Sequence, residues 1–177
     1  MRRTAAETRE HILEVAHDLF YWHSIKGTGV DTVAAAAGVA PTTLYRLFAS
    51  KDDLVAAYVE RASLLYKGWF TAAVEKGGLL GLFDALIEQV QPDHCRGCPF
   101  LMAMAELPDA SAAAHRHAVA TKRWVRERIG ELAGDETLAD HLTLVLEGVY
   151  ASVQSLGADG PARQARGLAE AMIRAAR

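Results

Sequence analysis

Two short helical segments joined by a glycine-containing turn, at residues 30–48, place the strongest constraint on what this chain can fold into. Small and branched apolar residues recur at helical spacing over Val30–Ala36, which predicts a first helix. Gly38 follows where that helix must end in a left-handed backbone conformation. The second segment, Pro41–Phe48, begins with a proline, whose missing N–H is tolerated in the first turn of a helix. The stretch therefore predicts two helices that meet at a tight turn.

The second segment separates its buried side chains from its exposed ones. Leu44 and Phe48 are predicted to face a core. The outward face combines hydroxyl groups, an aromatic ring and a guanidinium, from Thr42, Thr43, Tyr45 and Arg46. Such a face suits the base edges of a DNA major groove and the phosphates beside it. An ordinary helical hairpin in a protein core is the alternative that this spacing leaves open.

The rest of the sequence also has helical periodicity. A capping box at Thr4–Glu7 predicts a helix over Ala5–Ser24, and Ser50 with Asp53 predicts a long helix over Lys51–Glu75 that ends before two glycines. Further helices are predicted at Leu79–Val90, Leu101–Leu107, Ser111–Ala133, Thr137–Leu156 and Pro161–Ala176. Pro92 is predicted to end the helix over Leu79–Val90. The chain is therefore predicted to be all-α.

Composition narrows the class of protein further. About half of the 177 residues are apolar, which is typical of a globular protein. No uncharged apolar run reaches the roughly 18 residues that suggest a transmembrane helix, and the N-terminus lacks the apolar core of a signal peptide. We expect a cytoplasmic protein without a membrane partner, whose two cysteines are reduced rather than bridged.

The charge balance sets a condition on any binding to nucleic acid. The chain has a net charge of −3, and residues 1–60 contain six basic and eight acidic side chains. A DNA-binding protein of this charge must concentrate its cations on one face, and four of the six basic residues could do so: Arg2, Arg3, Arg46 and Lys51. We expect binding that weakens steeply with salt although each half-site involves few charged contacts.

Two residues outside the second segment are predicted to contact phosphates. Thr28 lies at the start of the Val30–Ala36 helix, where its hydroxyl can cap the helix and also suits a phosphate. Lys51 lies in the first turn of a helix, where the helix dipole disfavours a cation, and a nearby phosphate would offset that effect. Arg2 and Arg3 form a short arm that either remains solvated or contacts DNA.

The Cys-x-x-Cys pair, Cys95 and Cys98, allows three interpretations. A zinc site would require about four ligands, and no second cysteine pair exists, so we expect no metal. A redox switch is possible in principle because Cys98 lies at a predicted helix N-terminus and two thiols at this spacing can form a disulfide. The third interpretation is that Cys98 is simply a small buried residue. No arrangement of nucleophile, base and acid stands out, so we expect neither an enzyme nor a cofactor.

From Thr8 to Leu54 the sequence resembles the DNA-binding domain of the TetR family of transcriptional regulators. The matching residues are Ile12, Ala16, Leu19, Phe20, Gly27-Thr28-Gly29-Val30, Val33, Ala34, Ala37-Gly38-Val39, Thr43-Leu44-Tyr45, Phe48 and Ser50-Lys51-Asp52-Asp53-Leu54. The residue before Phe48 is usually histidine in such proteins and is Leu47 here, which removes a polar group at that position.

The resemblance implies a two-part homodimer. Residues 1–49 would form the helix-turn-helix DNA-binding domain, and residues 50–177 would form a helical ligand-binding and dimerisation domain that pairs through its last two helices. It also implies repression of a promoter at a palindromic operator in double-stranded DNA, relieved by a small apolar or aromatic effector. The candidate effector-binding residues are Tyr66, Trp69, Phe70, Phe83, Phe100, Met104, His117, Trp124 and Tyr150.

Two other functions remain open from the sequence. The first is a regulator of the same fold that senses thiol oxidation through Cys95 and Cys98 instead of binding a ligand. The second is an all-α small-molecule-binding protein with no role at DNA. It predicts no sequence-specific DNA binding at any salt concentration, and the polar surface from Thr42 to Arg46 argues against it.

Overall fold

The regular structure of this chain is helical throughout the part that the structure describes. The structure is a computed structural model, and it describes residues 3–91 and 95–176. The all-α prediction is therefore confirmed for those residues. The predicted helix stop at Pro92, and the residues Arg2 and His94, lie outside them.

The helices follow the predicted order closely. They are α1 Ala5–His23, α2 Val30–Ala36, α3 Pro41–Leu47, α4 Lys51–Gln89, α5 Pro99–Glu106, α6 Ala113–Ala133, α7 Glu136–Leu156 and α8 Ala165–Ala175. A short 3₁₀ turn at Pro161–Gln164 precedes α8, where a continuous α-helix had been expected. None of these helices, within the described residues, is long and apolar enough to cross a membrane.

Side-chain caps begin α1, α4 and α7; at α7 the Asp135 carboxylate accepts from the Leu138 N–H at 2.6 Å. At α1 the predicted capping box is present: the Thr4 hydroxyl accepts from the Glu7 N–H at 3.2 Å, and the Glu7 carboxylate accepts from the Thr4 N–H at 2.7 Å. At α4 the Ser50 hydroxyl accepts from the Asp53 N–H at 3.1 Å. The same hydroxyl donates to the Asp53 carboxylate at 2.9 Å.

Two glycines interrupt α4. Gly77 and Gly78 have non-helical backbone angles, and Gly78 adopts a positive φ of 61°. The prediction that the helix breaks at this glycine pair is therefore confirmed. The segment before the break continues from Lys51 as one uninterrupted helix.

The first of two compact units comprises the residues up to Leu64 together with Pro99–Val119. In this unit α1, α2 and α3 pack against one another in pairs. Fully buried apolar side chains from all three helices and from the start of α4 form its core: Ile12, Leu13, Ala16, Phe20, Val33, Ala34, Leu44 and Leu54. Burial on this scale fixes the geometry of the short α2–α3 pair, because helices of seven residues are not stable in isolation.

The second unit comprises Leu65–Cys98 and the residues from Ala120 onward. In this unit α7 packs on α8 and on the 3₁₀ turn. Its fully buried side chains include Leu82, Phe83, Leu86, Ile129, Ala139, Leu142 and Leu146. The helices α4 and α6 each contribute residues to both units.

Candidate nucleic-acid interface

The turn between α2 and α3 has a defined hydrogen-bond pattern. The Val39 N–H donates to the Ala34 carbonyl at 3.0 Å, and the Gly38 N–H donates to the Ala35 carbonyl at 3.1 Å. Together with the positive φ of 64° at Gly38, these two bonds form a Schellman motif. Pro41 then begins α3 at its first position, as predicted. This geometry fixes the direction in which α3 leaves the turn.

The face of α3 divides as the spacing predicted. Leu44 is fully buried, and Phe48 is also buried. Thr42 and Arg46 are exposed, Thr43 is half-buried, and Tyr45 exposes 50% of its surface. A hydroxyl, an aromatic ring and a guanidinium therefore share the open side of a helix whose other side is anchored in the core.

A cation packs against the buried aromatic ring at the C-terminal end of α3. The Arg9 guanidinium of α1 lies over the Phe48 ring, 5.1 Å from its centroid. Leu47, where the resemblance led us to expect histidine, is half-buried. The α1 side chain His11 also reaches the turn: its Nε2 lies 3.2 Å from the Ala37 carbonyl oxygen.

Thr28 lies inside the loop before α2 instead of at its cap. The residue is 4% exposed, and its hydroxyl donates to the Ser24 carbonyl at 2.8 Å. The N-terminal cap position of α2 is Gly29, with no side-chain cap, so the prediction that Thr28 caps this helix is wrong. Since the hydroxyl is directed to Ser24, the predicted phosphate contact of Thr28 would depend on its backbone.

Lys51 is half-buried at the first position of α4. Its Nζ donates to the Lys26 carbonyl at 3.3 Å, which ties the start of α4 to the loop before α2. The cation is therefore held near this loop, in the same unit as α3.

A carboxylate that the sequence did not single out contacts the same loop. The Glu106 carboxylate of α5 accepts from the Ser24 hydroxyl at 2.7 Å and from the Lys26 N–H at 2.9 Å. The Ser24 hydroxyl also accepts from the Gly27 N–H at 3.1 Å. No sequence signal could identify this contact, because 80 or more residues separate Glu106 from the loop.

The candidate effector-binding residues fall into two groups. Phe100, Met104 and His117 belong to the first unit, where Phe100 is 1% exposed and the other two are half-buried. The other six belong to the second unit, where Phe83 is fully buried.

Aromatic side chains in the second unit make direct contacts with one another. The rings of Tyr66 and Trp69 lie 5.2 Å apart between centroids, and those of Phe70 and Trp124 lie 5.2 Å apart in an edge-to-face arrangement. The Tyr150 hydroxyl donates to the Gln89 side-chain oxygen at 2.8 Å. Burial raises the pKa of both the Tyr66 and the Tyr150 phenol well above the usual value, so both remain protonated hydrogen-bond donors at neutral pH.

An ion pair lies beside Tyr150 in the same unit. The Lys122 Nζ donates to both carboxylate oxygens of Glu147, at 2.7 and 2.9 Å, and it lies 5.7 Å from the centroid of the Tyr150 ring. Both charged side chains are largely buried. This part of the second unit therefore combines apolar rings with a few oriented polar groups, which is the composition of small-molecule sites.

Both cysteines are buried, and they form no disulfide. Cys95 is 8% exposed and Cys98 is 1% exposed. The Gly97 N–H lies 3.3 Å from the Cys95 sulfur. Among the described residues no group of three or more histidine, cysteine or acidic side chains could hold a metal ion. Because oxidation of a thiol requires access as well as thiolate character, this burial weakens the case for a redox switch, which stays a prediction.

An apolar groove of about 460 Å³ runs along α7, the 3₁₀ turn and α8. Its lining includes His141, Leu144, Leu168 and Met172. Leu144 exposes 69% of its surface and Leu168 exposes 48%. Large apolar side chains on two adjoining helices are thus left in contact with solvent, as expected of a surface that packs against another chain.

An all-α unit with a helix-turn-helix, whose second helix presents hydroxyl, aromatic and guanidinium groups, defines the class of helix-turn-helix DNA-binding proteins. Comparison with known proteins agrees with this class. The family model described as bacterial regulatory proteins, tetR family, matches residues 12–58. A curated HTH-type transcriptional regulator of Staphylococcus aureus strain USA300 is 36% identical over 61 residues, which are 34% of this chain and 33% of that protein. That match therefore spans about a third of the length of the curated relative.

Two solved structures are similar over nearly the whole chain. SCO4454, a TetR-family transcriptional regulator from Streptomyces coelicolor, is 28% identical with a TM-score of 0.91, and the match covers 98% of this chain and 91% of that one. The regulator sav143 from Streptomyces avermitilis is 30% identical with a TM-score of 0.78, over 96% of this chain and 97% of that one. The chain belongs to the TetR family of transcriptional regulators.

Proposed function

We propose that this chain is a homodimeric repressor that binds a palindromic operator in double-stranded DNA and is released by a small apolar or aromatic effector. The observation that carries the proposal is the face of α3. Thr42, Tyr45 and Arg46 are exposed there while Leu44 is fully buried, so the polar side chains project from an anchored helix. Such a helix reads base edges with its exposed side chains, and Thr43 adds a fourth hydrogen-bonding side chain.

Phosphate contacts would hold α3 in its groove. Arg46 supplies an exposed cation on the reading helix, and Lys51 supplies a second one that is already held near the loop before α2. Thr28 would contribute through its backbone. With so few cations and a negative net charge, binding depends on their placement, and added salt should weaken it strongly.

The dimer would form through α7 and α8. The apolar groove along these helices and the exposed Leu144 and Leu168 support this surface, because burying them against a second copy removes apolar area from water. A two-fold dimer presents two copies of α3 to two half-sites, which must lie about one helical turn, roughly 34–36 Å, apart. A palindromic operator follows from that symmetry.

The effector would bind among the aromatic side chains of the second unit. Tyr66, Trp69, Phe70, Trp124 and Tyr150 offer ring faces and protonated hydroxyl groups, which suit an apolar or aromatic molecule. Phe83 of the same unit completes this group, while Phe100, Met104 and His117 of the first unit stay candidate effector-binding residues. An effector that favours a dimer with a different spacing of its α3 helices must weaken DNA binding by the same coupling free energy.

Functionally, we divide the chain at residue 49. Residues 1–49 would contact DNA, and residues 50–177 would form the dimer and the effector site. Because α4 runs without interruption from Lys51 to the glycine pair at 77 and 78, we take it as the continuous element through which a change at the effector site would reach the C-terminal end of the DNA-binding part. We expect no enzymatic activity and no cofactor.

Selection of DNA by the purified protein tests the proposal. The full chain is incubated with a pool of random-sequence duplexes, with and without a reducing agent, and bound duplexes are amplified and sequenced. Enrichment of a palindrome under both conditions is the expected result. No enrichment at any salt concentration would contradict the proposal, and enrichment only under reducing conditions would favour a thiol sensor that uses Cys95 and Cys98.

A further inference from the structure

The loop before α2 contains a strained backbone position. Ser24 ends α1 with a φ of 94° and a ψ of 139°, and among the described residues it is the one residue other than glycine with a positive φ. A side chain in this region of backbone angles persists only where its surroundings hold it there. Ser24 is therefore a position whose conformation depends on its contacts.

Those contacts converge on one carboxylate. A single oxygen of Glu106 accepts both the Ser24 hydroxyl at 2.7 Å and the Lys26 N–H at 2.9 Å. Hydrogen bonds to an ionised carboxylate are stronger than those between neutral groups. The two bonds involve the residues on either side of Ile25. Glu106 therefore holds the loop at the position where the backbone is strained.

The loop in turn sets the start of the helix-turn-helix. Its Ser24 carbonyl accepts from the buried Thr28 hydroxyl, two residues before α2 begins, and its Lys26 carbonyl accepts from Lys51 at the first position of α4. A displacement of this loop would therefore be passed to the flanks of the DNA-reading pair of helices. All of these residues belong to the first unit.

Glu106 is itself held at its own end. It is the last residue of α5, and the next residue, Leu107, accepts through its carbonyl a hydrogen bond from Nδ1 of His115 on α6, at 2.7 Å. The negative charge of Glu106 would disfavour DNA binding, since a carboxylate repels phosphate. A role in attracting DNA is thus excluded, and a role in holding the loop remains.

We propose that Glu106 is a positioning residue for DNA binding, which holds the strained Ser24–Thr28 loop so that α2 and α3 start in the orientation that reads DNA. The inference rests on the proposed DNA-binding function. It adds to that function a residue far from the reading helix in sequence, with the hydrogen bonds through which it acts.

The test compares Glu106→Ala and Glu106→Gln with the wild type on the selected operator and on a random-sequence duplex. The Ala variant should bind the operator about tenfold or more weakly, the scale expected when a charge-assisted hydrogen bond that favours the competent loop is lost. Its affinity for random duplex should not fall, because that binding depends on phosphates and the variant only removes a carboxylate that repels them. The Gln variant keeps an acceptor oxygen and should recover most of the operator affinity.

Glu60→Ala is the matched control. It removes an exposed carboxylate of α4 in the same unit and should leave operator affinity at the wild-type level. Ser24→Ala supplies a second variant if Glu106→Ala does not fold, since it keeps the backbone and removes only the hydroxyl that bonds Glu106 and Gly27. It should also weaken operator binding selectively.

The outcomes separate this inference from the proposed function. If the wild type binds an operator and both Glu106→Ala and Ser24→Ala bind it equally well, the positioning role is wrong while the DNA-binding function stands. Tighter binding by both Glu106 variants would show that the carboxylate acts only by repelling phosphate, which also overturns the inference. Failure of the wild type to bind any duplex would instead contradict the proposed function.

Discussion

Leu44 and Tyr45 are adjacent in sequence and have opposite surroundings. Leu44 is fully buried in the first unit, and Tyr45 exposes half of its surface. The spacing of apolar residues predicted this division, because a helix of 3.6 residues per turn turns neighbouring side chains about 100° apart. The roles of Thr28 and Glu106 could not be obtained in the same way. They depend on contacts with a loop carbonyl and with a residue more than 80 positions away, which no local pattern encodes.

His17 of α1 should make the stability of the protein depend on pH. Its ring stacks on Tyr21 and meets Tyr58 edge-on, both with centroids 5.7 Å apart, and its Nδ1 is buried without a hydrogen-bond partner. Burial lowers the pKa of His17; the nearby Asp18 raises it and Arg61 lowers it further. The neutral ring is thus favoured in the folded state, and the unfolded chain takes up the proton first as the pH falls.

The free energy of unfolding should therefore decrease as the pH falls below the unfolded-state pKa of about 6.5 and towards the lower folded-state value. His17→Phe keeps an aromatic ring and removes the titration, so urea unfolding measured from about pH 7.5 to about pH 5 should show a shallower dependence than in the wild type. Equal slopes for the two proteins would contradict the assignment.

At the scale of elements, the sequence pattern predicted which segments are helical more reliably than it predicted where each helix begins. The helix over Val30–Ala36 was predicted with the bounds that the structure shows, since a glycine on each side delimits it. The last helix was predicted from Pro161, but its first four residues form a 3₁₀ turn. Periodicity alone does not distinguish these two helix types over a single turn. At the end of α1 the apolar pattern did not reveal that Tyr21 is buried while Trp22 is exposed.

Gly38 should be the residue on which the α2–α3 turn depends most. Its φ of 64° disfavours any side chain, although no atom lies within 4 Å of the place that a Cβ would occupy. Gly38→Ala should therefore lower the free energy of unfolding by about 1–2 kcal/mol through backbone strain alone. Urea denaturation monitored by circular dichroism measures this change.

Gly68→Ala is the matched control for the turn. Gly68 lies inside α4 with helical backbone angles, and a Cβ there also meets nothing within 4 Å. Alanine should stabilise the protein at this position by up to about 1 kcal/mol, because glycine is unfavourable within a helix. Equal effects of the two substitutions would show that the conformation of Gly38 does not hold the turn.

At the scale of the whole molecule, the packing of the second unit could be predicted from the sequence only in part. Apolar residues lie on more than one side of α7, which requires two packing partners. In the structure Leu142 and Leu146 are buried, whereas Leu144 is left exposed. One partner is α8, with which α7 packs. The other partner would be a second chain, and neither the sequence nor a single chain can define its geometry. The sequence also could not divide the candidate effector residues between two units, because that division depends on tertiary contacts.

Leu144→Glu should disrupt the proposed dimer. A carboxylate placed in the apolar groove would be buried without a partner on association, which is strongly unfavourable. Leu64→Glu is the control, since Leu64 on α4 has a nearly equal exposure of 67% and does not line the groove. Sedimentation equilibrium should show a dimer for the wild type and for Leu64→Glu, and a monomer for Leu144→Glu. A dimer of unchanged stability in Leu144→Glu would place the interface elsewhere.

The affinity of Tyr45→Ala for the selected operator shows whether α3 reads DNA through its exposed face. Removing a base-reading side chain should weaken binding by about 1–3 kcal/mol. Because Tyr45 is exposed, the free energy of unfolding should change by no more than about 0.5 kcal/mol. Trp22→Ala, which removes another exposed aromatic side chain of the same unit, should bind as the wild type does. If Tyr45→Ala binds the operator with wild-type affinity, α3 does not read DNA through this face, and the proposed mode of operator binding is wrong.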